Sequence, residues 1–164
     1  MDKIVIKNFL TTKERIKLLE EVKPLLLSGA ELAAFFGVSP ENTRFPGWQT
    51  HSILQDHPVL QNTFLPLIKE KLELNNLTIH KAWANKIKGY KKDIAWHSHK
   101  YPLACVYYLK TIPFLNSGTL FMTEFVKAPQ NSLLIFPGYL KHTAPTYPIP
   151  IERYTISMDI IKGD

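Results

Sequence analysis

A single cysteine, Cys105, stands in a chain of 164 residues, so no internal disulfide can brace the fold. It falls in an apolar stretch, where a small buried filler is the expected role rather than a reactive thiol. That usage fits a reducing compartment, and a cytoplasmic location is expected. Met1 leads into Asp2-Lys3-Ile4-Val5-Ile6, which lacks the apolar run of a signal peptide. No stretch approaches the length of a membrane span. Internal repeats, low-complexity tracts and linkers are missing as well, so one domain spanning 1–164 is expected. Arginine-rich blocks are absent too. The formal charge of +6 comes mostly from scattered lysines, which read either as a solvated surface or as attraction for an anionic small molecule or polymer. Charge alone does not make nucleic acid a partner.

An apolar fraction of 45% supplies enough material for a substantial core without staples. The chain divides into a helical part, about 1–76, and a strand-rich part, about 77–162. Lys3 to Phe9 alternates weakly and reads as a short strand. Thr11-Thr12-Lys13-Glu14 fits a capping box, in which the Thr11 hydroxyl and Glu14 carboxylate satisfy amide donors at a helix start. Ile16, Leu18, Leu19 and Val22 follow as its apolar stripe, and Pro24 predicts a kink or restart. Ala30 to Gln55 gives turn chemistry at Ser39-Pro40-Glu41-Asn42 and Phe45-Pro46-Gly47, with Trp48 as the loop's anchor. A second helix is expected from Asp56, with Pro58 in its first turn, Leu60, Phe64, Leu67, Ile68 and Leu72 as its stripe, and Asn75-Asn76 as its end. Pro66 predicts a bend.

From Leu77 the period changes to two. Leu77, Ile79, Lys81, Trp83, Asn85 and Ile87 share one expected face, and Gly89-Tyr90-Lys91-Lys92-Asp93 follows as a turn. Leu103 to Leu109, Gly118 to Phe121 and Ser132 to Phe136 read as further strands. Arg153 to Ile161 alternates cleanly, with Tyr154, Ile156, Met158 and Ile160 on one face and Arg153, Thr155, Ser157 and Asp159 on the other. Helices first and then many short strands with Gly/Pro punctuation predict a mainly β protein, a double-sheet barrel braced by helices.

The chemistry gathers at Trp96-His97-Ser98-His99. Two histidines separated by one residue point to the same side of an extended chain, because strand side chains alternate faces. His142, after the turn Pro137-Gly138-Tyr139-Leu140, can close a metal site on that side, and neutral imidazole suits first-row metals including iron. The bland reading is that each histidine is a polar strand end. Arg153 shares the polar face of the last strand. In a closed barrel that face is buried, and a buried guanidinium needs an anion: either a planar carboxylate that matches its donor fork, or an internal partner such as Asp159 or Glu152.

Taken in order, Trp83-Ala84-Asn85, Gly89, His97-Ser98-His99, Val106-Tyr107-Tyr108-Leu109, Ser117-Gly118-Thr119-Leu120, Leu134-Ile135-Phe136-Pro137, His142 and Glu152-Arg153-Tyr154-Thr155-Ile156-Ser157 resemble the Fe(II)/2-oxoglutarate-dependent oxygenases. The likeness is greatest to the putative oxygenases of bacteria and phages, with prolyl-hydroxylase-like enzymes as broader relatives. It covers Trp83 to Ile160. It implies a double-stranded β-helix (jelly roll, cupin-like) with flanking helices, binding Fe(II), 2-oxoglutarate and O2, with ascorbate as an accessory reductant. It further implies His97 as the first iron ligand and His142 as the distal one. Arg153 is then implied on the distal carboxylate of 2-oxoglutarate, with Tyr108 and Thr155 or Ser157 as hydrogen-bonding helpers, and Asn85, on the strand before the site, is implied in contact with cosubstrate or substrate. The implied reaction is hydroxylation of a small molecule or peptidyl residue, with release of succinate and carbon dioxide.

One departure matters. Where relatives carry Asp or Glu after the first histidine, this chain has His99, which makes the expected ligand set His97, His99 and His142 and leaves the site one unit more positive. Asp93 is the other carboxylate nearby, in a lysine-rich turn that reads as surface. The competing readings are a three-histidine cupin that needs no 2-oxoglutarate and a non-catalytic binding module. The lid of such a site is expected from Ala30 to Gln55 and Gly89 to Trp96, with Phe45, Trp48, Tyr90 and Trp96 as candidate lining.

Overall fold

The structure, a computed structural model, describes residues 2–39, 47–89, 95–112, 117–145 and 150–163. Its frame is a seven-stranded sheet in the order β1-β8-β5-β10-β4-β3-β2, facing a three-stranded sheet in the order β7-β6-β9. The strands of the larger sheet are β1 (Ile4–Ile6), β2 (Leu27–Ser28), β3 (Trp48–Gln49), β4 (Leu77–Lys88), β5 (Leu103–Lys110), β8 (Leu133–Pro137) and β10 (Glu152–Lys162). The smaller sheet holds β6 (Gly118–Phe121), β7 (Phe125–Lys127) and β9 (His142–Thr143). Among the described residues every strand pairing is antiparallel. This is the expected mainly β, two-sheet architecture.

Among the described residues three α-helices pack on the outer face of the larger sheet or at its edge. α1 (Thr12–Val22) starts at the predicted capping box: the Thr11 side chain accepts from Glu14 N, and the Thr11 amide donates to the Glu14 carboxylate. Leu18, Leu19 and Val22 are buried as expected, whereas Ile16 is 44% exposed. The chain tightens into a 3-10 turn at Lys23–Leu25, which accommodates Pro24 at its start. α2 (Gly29–Phe36) replaces the first part of the predicted loop. It has its own capping box, Ser28 with Glu31, and ends on Gly37 at φ 65, a left-handed position that glycine takes without a Cβ clash. α3 (Leu65–Leu72) is preceded by a π turn at Leu60–Phe64. The turn widens the helix just before Pro66, whose ring cannot occupy a regular helical interior. The π turn falls where the bend is predicted, and the helix stops at Glu73, before Asn75-Asn76.

β10 lies at the centre of the larger sheet, and its two faces separate as the alternation predicts. Tyr154, Ile156, Met158 and Ile160 enter the main core beneath the helices, with Leu18, Phe64 and Ile68. A smaller apolar cluster, including Ala104, Tyr108, Phe121, Leu134 and Phe136, fills the closed end between the two sheets. β4 departs from expectation. Lys81 pairs with Asp159 but Ile79 pairs with Ile160, so one extra residue bulges out of β4. The bulge inverts the faces: Leu77 and Ile79 join the helix-side core, and beyond it Ala82 and Ala84 do so instead. Trp83, Asn85 and Ile87 are thereby turned into the space between the sheets, and Lys81 is left exposed.

Asn131, between β7 and β8, ties the N-terminal segment to this frame. Its amide accepts from Leu10 N and the Tyr107 hydroxyl and donates to Leu10 O, while its backbone bonds Phe9 and Tyr108. Cys105 is buried, and burial pushes its thiol pKa upward, as suits an inert filler. Among the described residues no helix is long and apolar enough to cross a membrane.

Candidate metal centre and its cavity

The segment before β5 runs alongside β9 and extends the smaller sheet. His97 N donates to His142 O and His142 N donates to His97 O, a single antiparallel bridge that sets the two histidines side by side. His99 N then donates to Gly138 O at 2.7 Å. Gly138 has to be glycine for this approach, because a Cβ there would sit 2.0 Å from Tyr101 O and 3.4 Å from the His99 Cβ. The three imidazoles converge. Ring centroids are 4.4 Å apart for His97 and His142, 5.2 Å for His99 and His142, and 5.5 Å for His97 and His99. One nitrogen from each lies within 4.8 Å of the others, the one such group of metal-ligating side chains among the described residues.

Each imidazole is fixed through its Nδ1. The Nδ1–H groups of His97 and His142 donate to the carbonyls of Ala95 and Leu140, at 2.9 and 2.8 Å, and that of His99 to Asp159 Oδ1 at 2.5 Å. An imidazole donating from Nδ1 carries its lone pair on Nε2, the form a metal requires. Burial pushes the pKa of His142 down to about 4, and partial desolvation lowers that of His97, which stays more open to solvent. Phe136 and Phe121 back His142 with centroids at 4.7 and 5.8 Å, and Trp83 stacks on His99 at 6.0 Å. The donor set therefore fits a divalent first-row metal on three Nε2 atoms.

The histidines open onto a cavity of about 660 Å³ between the sheets. Its floor is a cross-strand row on the larger sheet, in which Gln49 pairs with Asn85, Asn85 with Thr155 and Thr155 with Tyr108. The Asn85 amide donates to Ser157 Oγ at 3.0 Å and Thr155 Oγ1 at 3.4 Å, and accepts from Gln49 Nε2 at 2.8 Å. Arg153 is 3% exposed and lines the same cavity. Its Nη2 donates to Gly118 O at 3.1 Å and its guanidinium lies 5.3 Å from the centroid of the Tyr108 ring. The Tyr108 hydroxyl bonds Thr119 Oγ1 at 2.6 Å, and burial raises its pKa, so it remains a phenol. A cavity with a cation and several hydroxyls at one end and three imidazoles at another can hold a small dianion against a metal.

All eight candidate site residues lie on this cavity or bordering it: His97, His99, His142, Arg153, Asn85, Thr155 and Ser157 line it, and Tyr108 stands behind Arg153. The carboxylates weighed as internal partners of Arg153 are engaged elsewhere, Asp159 with His99 and Glu152 with Lys86 at 2.9 Å. Trp96 lines the mouth as expected. Trp48 does not; it packs under Lys86, and its neighbour Gln49 turns inward instead. Asp93, Phe45 and Tyr90 lie outside the described residues. Other lining residues are not among the sequence candidates. Thr119 stands in the Ser117-Gly118-Thr119-Leu120 motif with no role assigned to it, and Gln49 lies in the expected lid segment. Leu32 and Phe36 reach the mouth from α2, a helix whose Ser28-Gly29-Ala30-Glu31 capping signature was present in the sequence.

No family model and no curated protein sequence matches the chain. Solved structures do. The chain is similar to a viral collagen prolyl hydroxylase from Paramecium bursaria Chlorella virus-1, determined with 2-oxoglutarate, at TM-score 0.65 and 15% identity over 99% of this chain and 96% of that one. It is similar to SnoN, a non-heme α-ketoglutarate-dependent epimerase of nogalamycin biosynthesis, at TM-score 0.71 and 12% identity over 98% and 76% of the two chains. A prolyl hydroxylase from Trichoplax adhaerens, in complex with a hypoxia-inducible-factor peptide, matches at TM-score 0.62 and 20% identity over 98% and 83%. At these identities the likeness establishes the architecture. The chain has the double-stranded β-helix fold of the 2-oxoglutarate-dependent oxygenases.

Proposed function

We propose that the protein is an Fe(II)- and 2-oxoglutarate-dependent dioxygenase that hydroxylates an unidentified substrate and releases succinate and carbon dioxide. One observation carries the reading: a three-imidazole metal site and a buried arginine open into the same cavity of this fold. Imidazoles alone do not choose between iron, zinc and copper. The fold and Arg153 together favour the iron and 2-oxoglutarate pair.

Each residue then has a part. His97, His99 and His142 would hold the metal through Nε2, beside the cavity that all three line. Arg153 takes the distal carboxylate of 2-oxoglutarate in a charge-assisted fork, and its position against Tyr108 and Gly118 fixes the plane of that fork. The hydroxyls of Thr155 and Ser157, both held by the Asn85 amide, complete the cosubstrate's hydrogen bonds. When bound, iron and 2-oxoglutarate supply oxygen activation and the oxidative decarboxylation that yields succinate. Leu32, Phe36, Val38, Ile87 and Trp96 give the mouth an apolar lining that excludes water and bears on a substrate carbon. Among the fold neighbours one holds a peptide and a second SnoN structure holds nogalamycin RO, so the architecture accepts both peptidyl and small-molecule ligands.

The test is succinate formation with Fe(II), 2-oxoglutarate and ascorbate, alongside 2-oxoglutarate binding to wild type and Arg153→Ala. Succinate from the wild type and sharply weakened binding by the variant are expected. Unchanged affinity in Arg153→Ala would return the site to a three-histidine cupin independent of 2-oxoglutarate. Metal binding with no succinate under any condition points to a non-catalytic module.

A further inference from the structure

The three imidazoles are not held alike. His97 and His142 donate their Nδ1–H groups to neutral backbone carbonyls, of Ala95 and Leu140. His99, the residue that stands where relatives of this fold are expected to carry a carboxylate, donates instead to the carboxylate of Asp159. Both partners are enclosed, with side chains 11% and 7% exposed. The contact is built by the sheet rather than left to chance. Asp159 sits at the step where the β10–β4 register shifts, and its partner on β5 is Ala104. Trp83 covers one face of that ring, and His142 lies parallel to it on an interplanar angle of 5°.

Resting on the reading of the histidines as an iron site, we propose that Asp159 is the positioning residue of that centre and restores, through His99, the negative charge that a ligating carboxylate would otherwise bring. A carboxylate accepting from Nδ1–H locks the tautomer, aims Nε2 at the metal and makes that nitrogen a stronger donor. It also returns the whole assembly to the net charge of a centre with two histidines and one carboxylate. The charge acts from one imidazole further out, where it cannot occupy a coordination position or be displaced by a substrate. His99 and Asp159 are thus one unit, with the histidine as the ligand and the aspartate as the source of its charge.

The experiment uses the full chain and two readouts that need no turnover: Co(II) affinity by titration, and the Fe(III)/Fe(II) midpoint potential. Asp159→Asn keeps an oxygen that accepts from Nδ1–H but removes the charge; Asp159→Ala removes both. Glu152→Gln takes the same charge from the same strand, where it pairs with Lys86, and serves as the control. The expected result is a loss in Co(II) affinity of about 10–100-fold in Asp159→Ala and a smaller loss in Asp159→Asn. The potential of Asp159→Asn should rise, by about 59 mV for each tenfold loss of ferric over ferrous preference. Glu152→Gln should match wild type in both. Wild-type affinity and potential in a folded Asp159→Asn overturn the proposal while leaving the metal site intact. Failure of the wild-type chain to bind Co(II), or binding that His142→Ala does not weaken, overturns the metal site itself and this inference with it.

Discussion

The two faces of β10 are made by one strand, yet they obey different rules. Toward the helices it presents Tyr154, Ile156, Met158 and Ile160, all buried in the main core; apart from Tyr154, whose hydroxyl donates to Glu152, these are interchangeable in kind with apolar residues of like volume. Toward the cavity it presents Arg153, Thr155, Ser157 and Asp159, each with a specific partner: Gly118 and Tyr108, Asn85, Asn85 again, and His99. Arg153, Thr155 and Asp159 are as well buried as the apolar set. Burial of a charged or polar side chain costs free energy unless its partners are in place. The helix face is therefore where the strand gains stability, and the cavity face is where it spends some of that on chemistry.

Substitutions on the two faces should separate accordingly. The largest effect on folding is expected from Ile156→Ala, which empties a fully buried position and should cost about 2–5 kcal/mol in urea unfolding, while metal affinity of the folded fraction stays at the wild-type value. Arg153→Ala should do the reverse. The charge-assisted hydrogen bonds it loses are worth about 1.5–3 kcal/mol each, read as a fall in 2-oxoglutarate affinity of at least about tenfold, with a smaller shift of the unfolding midpoint than Ile156→Ala produces. Asn131→Ala tests a third region, since its amide serves Leu10 and Tyr107, which belong to the helix-side core and not to the cavity lining. Stranding those partners should cost about 1–3 kcal/mol of stability and leave both binding reactions unchanged. The smallest effect belongs to Ser157→Ala, which leaves Asn85 one acceptor short. A loss of about 0.5–1.5 kcal/mol, appearing in 2-oxoglutarate affinity rather than in unfolding, would mark Ser157 as cavity chemistry; the opposite split would move it to the structural side of the comparison.

Legibility in the sequence followed how local the deciding interaction is. The β10 alternation was visible because a strand's period is a property of its own residues. The Thr11–Glu14 cap was visible for the same reason, since both partners lie within one helical turn. α2 carries an equally local signal, Ser28 with Glu31, just ahead of the turn-forming residues by which the stretch reads as a loop. The face of β4 was different in kind. Strict alternation placed Leu77 and Trp83 together, and only the pairing with β10 reveals the extra residue that puts them on opposite sides. A bulge belongs to a pair of strands, so one strand's pattern cannot announce it.

The sequence by itself determined that His97 and His99 face one way, that Arg153 shares a face with Thr155, Ser157 and Asp159, and that helices precede a two-sheet body. These follow from backbone periodicity and need no distant partner. Only the tertiary structure decided what those faces meet. It seated His142 beside His97 through a backbone bridge, gave Arg153 to the cavity rather than to Glu152 or Asp159, and placed the Asp159 carboxylate against His99. Such contacts join residues as many as 60 positions apart, and their energy comes from exclusion of water between two sheets, a condition that exists only once the sheets have closed.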